Sequence, residues 1–224
     1  VGQLIAKPTG FVSANIHSSV SGTVAAVEPY ADLAGNPVMH VIIDVEGDEW
    51  EESIDRTPDV VREIKLSKEE IIKKIQECGI VGLGGASFPT HIKLTPPPGK
   101  VAEYLLINGA ECEPFLTSDY RLMMEMPEQV LIGAKIMMKA LDVTKCRFGV
   151  EENKPEAIAK LKTFAAQYPE IEIVPLKKKY PQGGEKQLIE ALTGRRVPSM
   201  GLPIDAGAVV QNCGTALAVY EAVQ

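Results

Sequence analysis

Four glycines fall within seven residues in the run Gly79-Ile80-Val81-Gly82-Leu83-Gly84-Gly85-Ala86-Ser87-Phe88-Pro89. Glycine lets a backbone turn tightly and lets a ligand approach main-chain amides with no Cβ in the way. Amides exposed in such a loop make a cradle for phosphate. The order of residues is not that of a P-loop, because no Gly-Lys-Ser/Thr follows. It also lacks the preceding strand that a dinucleotide fingerprint requires. Lys93, a few residues on, supplies a cation for a phosphate or an electron-rich ring.

Three further loops carry polar groups. Asn108-Gly109-Ala110-Glu111-Cys112-Glu113-Pro114 follows a strand-like run directly. Its two carboxylates and amide suit hydrogen bonds to a ribityl chain or a ring edge, a general acid/base pair, or, with Asp119, a metal. A polar loop capping the next helix has the same composition, and the spacing does not separate these readings. Tyr180-Pro181-Gln182-Gly183-Gly184-Glu185 puts two glycines before a helix, with Glu185 in its first turn. Gln211-Asn212-Cys213-Gly214-Thr215 places amide side chains between a strand and a helix. No Ser/His/Asp triad is evident, and His17, His40 and His91 have no obvious partners. Cys78, Cys112, Cys146 and Cys213 contain no C-x-x-C pair, so a self-contained zinc or iron–sulfur site is not expected, and the compartment reads as one of reduced thiols.

These loops need elements to hold them. Ser67-Lys68-Glu69-Glu70 is a capping box, and the helix it starts turns Ile71, Ile72 and Ile75 inward before Gly79 stops it. Strands are expected at 104–107, 146–150, 171–176 and 208–210, with helices at 127–141, 155–167, 185–192 and 215–223. Alternation at this spacing means an α/β, Rossmann-like sandwich with a largely parallel sheet, in which ligands sit at the carboxyl ends of the strands. Every motif above is expected in such a loop. Before about residue 54 the pattern differs: Val- and Ile-rich segments around 10–12, 20–27 and 38–45, with turns at Ser21-Gly22 and Gly35-Asn36-Pro37, predict a small partial β-domain. The domains are therefore read as 1–53, a connector 54–66, and 67–224. The acidic run Glu46–Glu52 reads as solvated.

The chain of 224 residues carries a net charge of −7, which argues against a nucleic-acid partner. No stretch reaches the roughly eighteen apolar residues of a membrane span, and 130–141 reads as a buried helix. No secretory signal is visible. A start at Val1 inside strand-like sequence is read as an excised piece of a longer protein.

In this order, the four loops resemble the NADH- and FMN-binding core shared by the flavin-bearing NADH subunit of respiratory complex I and the C subunit of the Rnf ion-translocating ferredoxin:NAD oxidoreductase. The wording Gly-Leu-Gly-Gly-Ala-Ser-Phe-Pro-Thr-His-Ile-Lys followed by Asn-Gly-Ala-Glu-Cys-Glu-Pro is closer to the Rnf subunit. The segment Ile16 to Val24 looks like that subunit's barrel-sandwich, lipoyl-like N-terminal domain. A carrier role is not expected, since Lys7 sits in Ala6-Lys7-Pro8 and no Met-Lys-Met or Asp-Lys-Ala turn is present.

The resemblance implies that Gly82, Gly84 and Lys93 contact FMN, as do Asn108, Glu111 and Glu113. It implies that Gly85, Ala86, Phe88 and Glu185 meet NADH, and that Tyr180, Gly183 and Gly184 line the flavin. Gln211, Asn212 and Thr215 would lie on its phosphate side. Leu83, Ala110 and Gly184 stand where the complex I family has Arg, Asp and Glu, so polar contacts are lost. No catalytic acid or base is implied, because hydride passes between the two cofactors. The resemblance also implies 4Fe–4S clusters outside these residues and neighbouring subunits of a membrane electron-transport complex. It makes ferredoxin an indirect partner and implies a peripheral place on the cytoplasmic face of a bacterial membrane. The alternative is an electron-transfer adaptor that keeps the fold without a tightly bound flavin.

Overall fold

A computed structural model describes all 224 residues, which form two units, Val1–Asp59 and Val60–Gln224. The first unit is all β. Strands β1 (Leu4–Ala6) and β2 (Ile16–His17) pair antiparallel, and β3 (Gly22–Ala31) and β4 (Pro37–Val45) form a long hairpin. At its tip Asp32 Oδ1 accepts from the amides of Ala34 and Asn36, each at 2.8 Å, and Gly35 takes a left-handed φ of 85°. The ribbon has no second layer, so Val24, Val27, Val38, Met39 and Val45 remain exposed. The acidic run Glu46–Glu52 is exposed and outside every strand, as its charge dictates.

The second unit is α/β. Val60, Ile64 and Leu66 pack on its core, the Val61 amide donates to the Tyr220 hydroxyl at 3.0 Å, and the Arg62 guanidinium forks onto Glu128. The predicted capping box forms, Ser67 accepting from the Glu70 amide while Glu70 accepts from the Ser67 amide. It starts α1 (Lys68–Glu77), which buries Ile71 and Ile75. A four-residue helix α2 (Thr90–Lys93) precedes β5 (Tyr104–Asn108), α3 (Ser118–Glu125) and the buried α4 (Pro127–Leu141). Then come β6 (Cys146–Glu151), α5 (Pro155–Ala165), β7 (Ile171–Leu176) and α6 (Glu185–Thr193). A 3-10 turn at Pro203–Ala206 leads to β8 (Ala208–Asn212) and α7 (Cys213–Val223).

The four strands are all parallel, in the order β7-β6-β5-β8, with Ile107 opposite both Phe148 and Gln211. Alternation of side chains sorts the two faces. Leu105, Ile107, Phe148 and Val209 join the larger core with α1, α4, α5 and α7, whereas Leu106, Ala208 and Val210 pack with Leu188, Ile189 and Leu192 of α6. Within the larger layer α4 and α7 touch backbone to backbone. A Cβ on Gly133 would lie 1.8 Å from the Ala216 carbonyl oxygen, so only glycine permits that approach. No helix is long and apolar enough to cross a membrane.

The run Gly79–Phe88 follows no strand of the sheet, as its sequence setting implied. The expectation that every motif lies in a loop directly after a strand is corrected for this one: it joins α1 to α2 as a small hairpin of its own. The Gly82 amide donates to the Phe88 carbonyl at 2.8 Å and the Thr90 amide to the Ile80 carbonyl at 3.0 Å, bridging Val81 and Pro89. The capping-box helix immediately before it leaves no residues for a strand. Helix α3 and the 3-10 turn also lie outside the sequence expectation, and the Thr117 side chain makes no capping bond to announce α3.

Candidate functional site

The glycine hairpin reaches the carboxyl end of the sheet through space. The Leu83 amide donates to Thr215 Oγ1 at 2.9 Å, and a Cβ on Gly84 would stand 2.9 Å from Asn212 Cβ. The hairpin backbone thus lies directly on the junction of β8 and α7. Asn212 organises that junction by capping α7, its Oδ1 accepting from the amides of Gly214 at 2.7 Å and Thr215 at 3.3 Å. Beyond Leu83 the chain makes a tight turn over 83–86, and none of the amides from Gly84 to Phe88 makes a well-formed hydrogen bond within the chain. Gly85, at φ 151°, has open space where a Cβ would project, and Ser87 is held at φ 52°. These five consecutive amides are exposed beside a strand end, where backbone N–H groups are open to an anion.

A second contact ties the loop after β7 to the loop after β5, across the end of β6. Asn108 Nδ2 donates to the Gly183 carbonyl at 2.9 Å and the Gly183 amide donates to Cys112 Sγ at 3.1 Å. A Cβ on Gly183 would come within 2.6 Å of the Ala110 carbonyl oxygen and 2.9 Å of Cys112 Sγ. Asn108 Oδ1 in turn accepts from the Ala110 amide at 3.0 Å. Gly183 is therefore gripped on both sides of its backbone.

A charged network lies beneath these loops. The Glu111 side chain is only 2% exposed and is paired with Lys154, which stands in the loop after β6. Glu111 Oε1 accepts from the Asp119 amide at 2.8 Å, and Asn212 Nδ2 donates to Asp119 Oδ2 at 2.6 Å. Burial pushes the Asp119 carboxyl above its ordinary range despite the Asn212 bond, and the Glu111 charge adds to the rise. Burial, reinforced by Asp119, likewise lifts the Cys213 thiol well above its usual value, so that thiol stays protonated.

The predicted site residues are thus not all brought together. Gly82, Gly84, Asn212 and Thr215 meet at one wall, and Asn108 and Gly183 at another. Lys93, by contrast, is joined to Glu185 at 2.9 Å, a pairing that sequence spacing did not suggest. Gly85, Ala86, Phe88, Glu113, Tyr180 and Glu185 are exposed, Tyr180 at 81% and Phe88 at 37%. Gly184 opens α6, backed by its neighbours Pro181 and Gln187. Gln211 is buried with its Nε2 unpartnered, a donor held at the end of β8. Glu111, Glu113 and Asp119 do not assemble into a metal-binding group. Sequence reasoning missed Lys154 and the acceptor role of Cys112. The available signal for Lys154 was its position as the first cation after β6, just past Glu151 and Glu152.

A parallel α/β sheet whose carboxyl edge carries a hairpin of free amides is the framework of a nucleotide- or flavin-binding domain. Residues 75–221 match the Nuo51 FMN-binding domain family, and residues 1–48 match the RnfC barrel sandwich hybrid domain. Over most of its length the chain belongs to the Nuo51 FMN-binding domain family. It is 49% identical over 224 residues to the C subunit of the proton-translocating ferredoxin:NAD(+) oxidoreductase complex of Clostridium ljungdahlii, covering 100% of this chain and 48% of that protein. It is 46% identical to the C subunit of the Na(+)-translocating ferredoxin:NAD(+) oxidoreductase complex of Acetobacterium woodii, covering 100% of this chain and 50% of that protein. Identity is 44% to the C subunit of the ion-translocating oxidoreductase complex of Pseudomonas aeruginosa, covering 99% of this chain and 28% of that protein. The chain thus spans about half the length of the first two relatives. Among solved structures it resembles an NAD+-reducing nickel–iron hydrogenase in its air-oxidized state. That likeness has a TM-score of 0.57 and 26% identity, over 69% of this chain and 30% of that one.

Proposed function

We propose that this chain is the NADH- and FMN-binding part of the C subunit of an ion-translocating ferredoxin:NAD oxidoreductase, passing electrons between NAD(H) and FMN. The observation that carries the reading is the strip of exposed amides from Gly84 to Phe88, braced on Asn212 and Thr215 at the sheet's carboxyl edge. That strip suits a phosphate, and the open space at Gly85 leaves room for it. When bound, the flavin supplies the hydride and single-electron chemistry.

The chain's own residues bind and orient. Gly82 and Gly84 let the flavin approach the hairpin, Lys93 faces its electron-rich side, and Asn108 with Glu113 supplies polar contacts from the β5 loop. Gly85, Ala86, Phe88 and Glu185 meet NADH, Phe88 offering a ring face. Tyr180, Gly183 and Gly184 line the flavin, and Gln211 aims an unpartnered donor from β8. Glu111, Asn212 and Thr215 are engaged inside the chain, which makes them supports of the pocket. Iron–sulfur centres outside these residues, other subunits of a membrane complex, ferredoxin as an indirect partner and a peripheral position on the cytoplasmic face complete the reading.

One observation favours a second reading, an adaptor without tight flavin. Lys93, Asn212 and Thr215 already spend their polar groups on partners within the chain. Titration of the folded chain with FMN, followed by flavin fluorescence quenching, separates the two. Saturable quenching, abolished by Gly84→Val and followed by NADH bleaching of the flavin, is the expected result. Absence of quenching in the folded protein supports the adaptor, and normal binding by Gly84→Val overturns the hairpin assignment.

A further inference from the structure

Lys154 belongs to no loop that the glycine motifs single out, yet it begins a continuous line of polar contacts that ends at the hairpin. It neutralises Glu111, whose side chain is 2% exposed while that of Lys154 is 14% exposed. The ring of Tyr120 on α3 stands beside the ammonium, 5.8 Å from it. Glu111 fixes the start of α3 by accepting from the Asp119 amide at 2.8 Å. Asp119 then holds Asn212 at 2.6 Å, and Asn212 is the side chain on which Gly84 rests. The same Asn212 aims the first turn of α7, whose Thr215 hydroxyl receives the Leu83 amide at 2.9 Å. The links are hydrogen bonds as far as Asn212, where the Cys213 thiol also holds Asp119, and end in the packing of Gly84 on Asn212 and the bond from Leu83 to Thr215, so a shift at Glu111 passes along the line.

We propose that Lys154 is the positioning residue of the hairpin wall, neutralising Glu111 and setting, through Asp119 and Asn212, where Gly84 and Leu83 sit. Without the cation, a carboxylate buried beside Asp119 has no counter-charge and must draw in water or move. Either response displaces the start of α3 and, with it, Asn212. Lys154 acts through these residues and touches no ligand itself. The inference deepens the FMN-binding reading and rests on it for the ligand, but not for the line of contacts.

The experiment uses the chain as described, with FMN as the probe, in Lys154→Met, Lys154→Arg and the charge-neutral double variant Lys154→Met/Glu111→Gln. Amide hydrogen exchange across 80–88 in ligand-free protein reads the wall, and FMN titration reads its consequence. Lys154→Met is expected to speed exchange at the Leu83 amide and raise the FMN Kd roughly tenfold or more. Lys154→Arg is expected to restore both. In the double variant the new side-chain carbonyl can still accept from the Asp119 amide without carrying a charge. That variant is expected to recover most of the loss, and to fold if the single variant does not. Unchanged exchange at Leu83 in a folded Lys154→Met protein overturns the proposal, and so does a double variant as loose as the single one. If the unsubstituted chain binds no FMN, the functional reading fails while the exchange arm still decides the role of Lys154.

Discussion

Asp119 sits half-buried beside Glu111 at the carboxyl edge of the sheet, its carboxylate steadied by Asn212, the Cys213 thiol and the charge of Lys154 without offsetting the cost of burial. Its carboxyl titrates above the ordinary value, so the folded state binds the proton more tightly than the unfolded state does. This group's contribution to stability is therefore complete in acid, below the usual aspartate pKa, and is lost as pH rises through the folded value. Asp119→Asn removes that loss while its side-chain carbonyl can still accept from Asn212. Melting temperatures at pH 4 and pH 7 should show the variant gaining on the unsubstituted chain at the higher pH; an equal difference at both would sink the assignment. Glu111 shows what sequence could not convey at this scale. Its place in a polar loop suggests a ligand contact, whereas burial against Lys154 makes it a support.

At the scale of elements, the apolar strand runs were legible because each is short, flanked by breakers and rich in branched residues, as in Tyr104–Asn108 and Ile171–Leu176. Helix α1 was legible from Ser67 and Glu70, whose reciprocal bonds form as expected. Ser67→Ala should cost about 1 kcal/mol of unfolding free energy, measurable by urea titration. The destination of the glycine hairpin was not legible, because its partner Thr215 lies 132 residues from Leu83. Nor was the grip on Gly183, which depends on two loops meeting over β6. Gly183→Ala should break that grip, since the methyl has no room against Ala110 and Cys112. Accelerated hydrogen exchange in 177–186, with exchange in the central strands unchanged, is the expected signature.

For the whole molecule, the two core clusters lie entirely within 60–224, and no residue before Val60 joins either one. The α/β unit therefore contains its own stabilising interior. A chain beginning at Val60 should melt within a few degrees of the corresponding transition in the full chain, read by calorimetry; loss of cooperative unfolding would contradict that autonomy. The change from β-rich to alternating sequence was visible in composition. What composition could not reveal is that Val60, Ile64 and Leu66 pack into the core of the second unit, since three scattered apolar residues carry no period.

Gly133 sits on α4, away from every loop discussed, yet its missing side chain sets how deep α7 can lie. Because Asn212 and Thr215 ride on the leading turn of α7, the height of the amide strip above the sheet is calibrated from behind, by a helix that touches no ligand. A methyl group at this position would act as a shim, lifting α7 and tilting the cradle without altering any group in it.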